Sequence, residues 1–169
     1  MHIREELQIT KPLDPGHEVA LALLLTREYV ARLFEEGLGK PEGLSDQQYN
    51  VLRILKGGPK DGYLVKDLRC RMIYRFADVP RLVNRLEERG LVKRCENPAD
   101  RRGSRVQITP KGLTLEAKMR SRHDTLCQQL DRCLSDDERE TLLSLLERLR
   151  NDHRVQLEAM LQKDMADEN

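Results

Sequence analysis

Apolar residues recur along most of this chain at the spacing of a helix, and breaks in that rhythm divide it into elements. His17 to Glu36 reads as a first, unusually apolar helix, stopped by Gly37 and Gly39. Residues 1–16 read as an extended arm, because Pro12, Pro15 and Gly16 interrupt any helix. Ser45-Asp46-Gln47-Gln48 matches a capping box, with Ser45 as N-cap and Gln48 three positions on. The helix it opens runs to about Lys56, carries Gln48, Val51, Leu52 and Leu55 on one face, and ends at Gly57-Gly58-Pro59. A short third helix spans Leu64 to about Met72. Val79, Leu82, Val83 and Leu86, at i, i+3, i+4 and i+7, define a fourth, with Asp78 as N-cap, Pro80 in the first turn and Gly90 at its close.

The period then changes from helical to alternating. Leu91 to Cys95 and Ser104 to Ile108 read as two strands of a hairpin, joined by a long connector from Glu96 to Gly103. Thr109-Pro110 supplies an N-cap followed by proline at the first helical position, opening a long helix to about Leu134. Ser135-Asp136-Asp137-Glu138 is a second capping box, and the apolar positions 142, 146, 149, 157 and 160/161 continue a final helix. The expected fold is mainly α with a small β-hairpin wing, a winged helix-turn-helix with N- and C-terminal dimerisation helices. Its divisions are an N-terminal arm (1–16), a dimerisation helix and connector (17–44), the winged helix-turn-helix (45–109) and long C-terminal helices (110–169).

Composition supports the dimerisation helices. Of 169 residues, 38% are hydrophobic and 35% charged, with no Trp and two Phe. That is lean for one thick core but ordinary for long amphipathic helices that share a core with a partner. The longest apolar run, Val19 to Leu25, falls well short of the roughly 20 residues that span a bilayer, and the first residues lack a signal-peptide layout, so a cytoplasmic protein with no membrane partner is expected. Four cysteines without a CxxC pair point the same way.

Net charge is only +1, but it is unevenly placed. Residues 66–105 hold twelve Lys or Arg against six Asp or Glu, a surplus of six, whereas the rest holds 18 against 23, a deficit of five. Within that basic segment the fourth helix has two opposed faces. Val79, Leu82, Val83 and Leu86 cluster on one, and Arg81, Asn84, Arg85 and Glu88 on the other. Arg and Asn are side chains able to bond guanine and adenine edges in a major groove. A bare solvated face would explain the helix alone. It does not explain the short helix before it or the basic hairpin after it, whose connector sets Arg101 and Arg102 beside Asp100 at the point furthest from the core. An arginine at such a tip suits a narrow, negative minor groove.

These residues resemble the MarR (multiple antibiotic resistance regulator) family. The likeness rests on the run from Asp78 to Arg94, on Asn97-Pro98-Ala99-Asp100-Arg101-Arg102, and on Val106-Gln107-Ile108-Thr109-Pro110-Lys111-Gly112, with helix order and lengths similar over about residues 17–160. The resemblance implies a homodimer bundled through its first and last two helices, with recognition helices one DNA turn apart on a pseudo-palindromic site. It assigns base reading to Arg81, minor-groove insertion to Arg102, and orientation of that arginine to Asp100. Two departures stand out: Pro80 replaces a small polar residue, and Arg75-Phe76-Ala77 replaces a Ser/Thr-rich stretch. The expected DNA-binding residues are therefore Arg75, Arg81, Asn84, Arg85, Asp100, Arg101 and Arg102.

The expected function is a sequence-specific duplex-DNA-binding transcriptional regulator, a repressor acting as a homodimer and relieved by a small-molecule ligand. Its partners would be double-stranded DNA, a second copy of itself, and a small aromatic or anionic effector of the kind several relatives bind between bundle and reader domain. His17, Arg27, Tyr29 and Tyr49 could line such a cleft, although core or surface roles are the more ordinary reading, and the ligand residues stay unassigned. No cofactor and no metal are expected. His123 and Cys127 are i, i+4 on one helix without a recognised four-ligand spacing, and Cys95, between Arg94 and Glu96, is the best redox candidate although relatives' sensor cysteine has no match. An enzyme is not expected, since there is no P-loop, dinucleotide glycine pattern, HExxH or nucleophile elbow. The alternative is a winged-helix protein-interaction module without DNA affinity.

Overall fold

The computed structural model describes residues 2–74, 76–96 and 104–167, with side-chain surroundings described through residue 157. The chain forms two compact units, residues 1–126 and 127–169.

In the first unit, α1 (Ile3–Glu6) is a single helical turn. It lies within the segment expected to be extended, and it is tied to α2 (Pro15–Phe34) by a hydrogen bond from the Tyr29 hydroxyl to Glu6 and by Arg4–Glu18 at 3.7 Å. α2 begins two residues earlier than its sequence suggests, because Pro15 occupies its first turn, where the missing N–H costs nothing. A wide turn (Glu35–Gly39) and a tight one (Lys40–Glu42) lead into α3 (Asp46–Lys56). The capping box at α3 is formed: Gln48 N–H donates to Ser45 Oγ at 3.3 Å, and Ser45 N–H donates to Gln48 Oε1 at 2.9 Å.

After α3 the chain makes β1 (Tyr63–Leu64), α4 (Val65–Arg71), α5 (Val79–Glu88), β2 (Val92–Glu96) and β3 (Ser104–Ile108). The expected hairpin is present, β2 and β3 pairing antiparallel with Arg94 opposite Val106. It is one strand short of the whole sheet. β1 pairs antiparallel with the other edge of β3, Tyr63 opposite Val106, giving the order β1-β3-β2. Gly62 makes this possible: its φ is +77°, and a Cβ there would lie 2.0 Å from Val106 O.

The core is gathered from α3, α4, α5, the sheet and α6 (Pro110–Asp131), which contributes Met119 and Leu126. Leu52, Leu68, Val83, Leu86, Val106 and Met119 are among its least exposed side chains. Thr109 caps α6, its Oγ1 accepting from Gly112 N–H at 3.1 Å while lying 2.7 Å from Gly90 O. Gly112 rests directly on β2's approach, where a Cβ would fall 2.1 Å from Leu91 O. α2 contrasts with this core, for none of its residues is buried and Val19, Leu23 and Leu24 are exposed.

In the second unit α6 ends and α7 (Asp136–Asp167) begins. Its capping box is also formed, Ser135 N–H donating to Glu138 Oε2 at 2.8 Å and Glu138 N–H to Ser135 Oγ at 3.4 Å. Along α7, Leu142, Leu143, Leu145, Val155 and Leu157 are exposed. Among the described residues no helix is long and apolar enough to cross a membrane.

Candidate nucleic-acid interface

α5 owes its placement to one stripe of four side chains. Val79, Leu82, Val83 and Leu86 are buried in the core, at 7% exposure or less. Burial of each such aliphatic side chain stabilises by roughly 1.5–3 kcal/mol, enough to fix how the helix is rotated about its axis. Asp78 fixes where it starts, its Oδ1 accepting the Arg81 N–H at 3.1 Å. Rotation and start together leave Arg81, Asn84, Arg85 and Glu88 on the exposed side.

Gln47, in the first turn of α3, shares a shallow surface depression with Asp78, Arg81, Leu82 and Arg85. Sequence reasoning missed Gln47. It lies on the capping-box turn of a different helix, and only packing of α3 on α5 brings it to this surface. Arg81 and Arg85 take part in none of the ion pairs among the described residues.

Several other cations of the basic segment are committed internally. Arg89 donates to the backbone carbonyls of Gly43 (2.6 Å) and Glu42 (2.9 Å). Arg105 holds the turn before β1, donating to Asp61 O and Gly62 O and pairing with the Asp61 carboxylate at 2.8 Å. Arg71 stacks over the Tyr63 ring with its guanidinium carbon 4.4 Å from the centroid. Arg94, on β2, pairs with Glu87 of α5 at 2.7 Å and donates to Asn84 Oδ1 at 2.6 Å. The surplus of positive charge thus divides into cations that brace the winged helix and cations that face outward. Of the site residues expected from sequence, Arg81, Asn84 and Arg85 are brought together on one face. Arg75, Asp100, Arg101 and Arg102 lie outside the described residues.

A second feature lies along another face of α3. Residues of α2, α3, α6 and the turn after α4 enclose a cavity of about 350 Å³. Phe34, Tyr49, Tyr74 and His123 give it aromatic walls, and Arg27 and Arg53 bring two guanidinium groups. Arg53, which can only donate, lies 2.8 Å from His123 Nε2, so that nitrogen accepts, and the His123 ring meets Phe34 edge-on at 5.4 Å. Tyr49 is buried and its hydroxyl has no hydrogen-bond partner among the described residues. Burial pushes its pKa up to about 12. Asp46 Oδ1 is likewise without a partner among them, and burial, then the nearby Glu35 carboxylate, raises that carboxyl above its ordinary value.

Of the residues suggested for a ligand cleft, Arg27 and Tyr49 line this cavity. His17 instead approaches Asp14 at 3.5 Å, and Tyr29 bonds Glu6. Phe34, Arg53, Tyr74 and His123 were not foreseen there. Cys95 is half-buried in the sheet with Sγ 3.4 Å from Gln107 Oε1.

Comparison with known proteins places the chain. A sequence model of the MarR family matches residues 42–103. A transcriptional regulatory protein for the hcr operon of Thauera aromatica is 32% identical over 118 residues, 70% of each chain. The homoprotocatechuate degradative operon repressor of Escherichia coli is 26% identical over 129 residues, 76% of this chain and 85% of that one. Among solved structures, Bordetella bronchiseptica BpsR, described in terms of regulation of its DNA binding by 6-hydroxynicotinic acid, superposes with a TM-score of 0.67. It is 24% identical, and the match covers 78% of this chain and 98% of that one.

Proposed function

The chain belongs to the MarR family of transcriptional regulators and is not an enzyme, and on that premise we propose that it is a cytoplasmic repressor that binds a pseudo-palindromic duplex operator as a homodimer. The observation that carries this reading is the outward face of α5. Arg81, Asn84 and Arg85 are exposed on a helix whose other side is locked into the core, and neither arginine has an acidic partner among the described residues. A face of that kind suits the major groove, where arginine bonds guanine O6 and N7 and asparagine bonds adenine N6 and N7. Outside the described residues, Arg75 would add a backbone contact, and Arg102, oriented by Asp100 beside Arg101, would enter the minor groove.

The homodimer reading is supported by α2, which exposes Val19, Leu23 and Leu24 and has no fully buried residue, and independently by the exposed leucines of α7. Apolar rows of this extent ordinarily lie against a partner. A small effector is supported by the cavity, whose aromatic walls, two guanidinium groups and Tyr49 hydroxyl, unpartnered among the described residues, suit a flat ring bearing an acidic or hydroxyl substituent. The Escherichia coli relative is named for the degradation of homoprotocatechuate, an aromatic acid, in keeping with that chemistry.

Gel shift against DNA upstream of the protein's own gene, at two salt concentrations, tests the central claim. Retardation at low salt that weakens steeply as salt rises is expected, because phosphate contacts release counterions. No retardation at low salt overturns it and leaves the protein-interaction module.

A further inference from the structure

We infer that Arg94, on the wing, sets which base the recognition helix reads, by turning the Asn84 side-chain amide; this rests on the proposal that α5 enters the major groove. Three hydrogen bonds hold the arrangement. The Arg94 backbone N–H donates to Glu87 Oε1 at 2.8 Å, its Nη1 donates to Glu87 Oε2 at 2.7 Å, and its Nη2 donates to Asn84 Oδ1 at 2.6 Å. Glu87 is gripped by backbone and side chain of one residue, so the guanidinium plane has little freedom left. Its remaining fork then determines the rotation of the Asn84 amide.

The consequence is chemical. Asparagine recognises adenine with both ends of its amide, the oxygen accepting from N6–H₂ and the nitrogen donating to N7. In this protein the oxygen already faces β2 and bonds a cation, and an adenine amino group would compete with that cation for the same atom. The Nδ2 hydrogens, on the opposite limb of the amide, are turned away from β2. With its oxygen held toward β2, Asn84 presents chiefly its Nδ2 hydrogens, which favours a base edge that offers acceptors, and guanine offers two, N7 and O6. Arg94 itself reaches no base in this arrangement. It is a positioning residue, paired across the sheet with Val106 and therefore as fixed as the wing's core strand.

Selection of bound sequences from random duplex DNA, using the full-length protein and its Asn84→Ala, Arg94→Ala and Arg94→Lys variants, tests the inference. Asn84→Ala is expected to flatten one position per half-site, distinct from the one Arg81 reads, and at that position the wild type is expected to favour guanine over adenine. Arg94→Ala should move the guanine-to-adenine ratio there about ten-fold toward adenine, the scale of one good bidentate contact. Arg94→Lys should do the same, because one ammonium keeps the charge and the Glu87 pair but lacks the fork that spans both partners. It carries the test if the alanine variant does not fold. An unchanged ratio in both Arg94 variants, or an equal loss of affinity for every sequence, overturns the inference while leaving DNA binding intact. Absence of any enriched sequence with the wild type overturns the DNA-binding proposal as well.

Discussion

Asn50 Oδ1 accepts the backbone N–H of Ile73 at 3.1 Å, so a buried side chain in the wall of the cavity holds the segment that precedes α5. Ile73 and Tyr74 line the same cavity, and α5 begins a short step along the chain, at Val79. Asn50→Leu is expected to leave the Ile73 N–H without its partner and to lower stability by about 1–3 kcal/mol. Urea unfolding measures that loss, and a parallel titration should show weaker DNA binding. Unchanged stability and affinity would mean the bond holds nothing.

Arg81 projects from the first turn of α5 beside Asp78 and Gln47. Arg81→Ala is expected to relax preference at one position of each half-site by roughly 1–3 kcal/mol, read as competition between operator variants. An equal loss for all sequences would make it a phosphate contact instead.

Gly112 has no room for a side chain, since a Cβ would lie 2.1 Å from Leu91 O and 2.8 Å from Ile108 Cγ1. The first neighbour is backbone and cannot rotate aside. Gly112→Ala should push α6 away from the sheet at a cost of about 1–3 kcal/mol, seen as a lower thermal unfolding midpoint.

Tyr49 yields a prediction in pH. Its pKa in the folded chain is about 12, raised by burial from an ordinary value of 10.0. Between those values the unfolded chain loses the proton while the folded chain keeps it, so stability falls as pH rises through this window. Tyr49→Phe should remove that part of the alkaline loss. Near neutral pH it should leave stability unchanged or raise it by up to about 1 kcal/mol, because the buried hydroxyl lacks a hydrogen-bond partner among the described residues. Denaturant unfolding across the alkaline range, wild type against variant, gives both numbers.

Much of the fold was legible in the sequence because the responsible forces act within one turn or between adjacent residues. The capping boxes at Ser45 and Ser135 formed as their spacing predicts, and the i, i+3, i+4, i+7 stripe of α5 is the side that is buried. The outward position of Arg81, Asn84 and Arg85 follows from that stripe by helix geometry alone. β1 was invisible for the opposite reason. Two residues carry no period, and Tyr63–Leu64 is a strand only because β3 presents an edge to it.

Charge shows the same division. Counting cations from 66 to 105 identified a basic segment, and a count cannot separate Arg81, which faces outward, from Arg89, Arg94 and Arg105, which brace the fold. Their partners, Gly43, Glu87 and Asp61, are distant enough in the chain, or lie across a turn, that no local pattern marks them. The cavity joins Arg27 to His123 across nearly a hundred positions. Periodicity and capping are local, so the sequence by itself determined the helices, the wing strands and the polar face of α5. Long-range packing alone decided the third strand, the internal arginines and the cavity, because each exists only where separate elements meet.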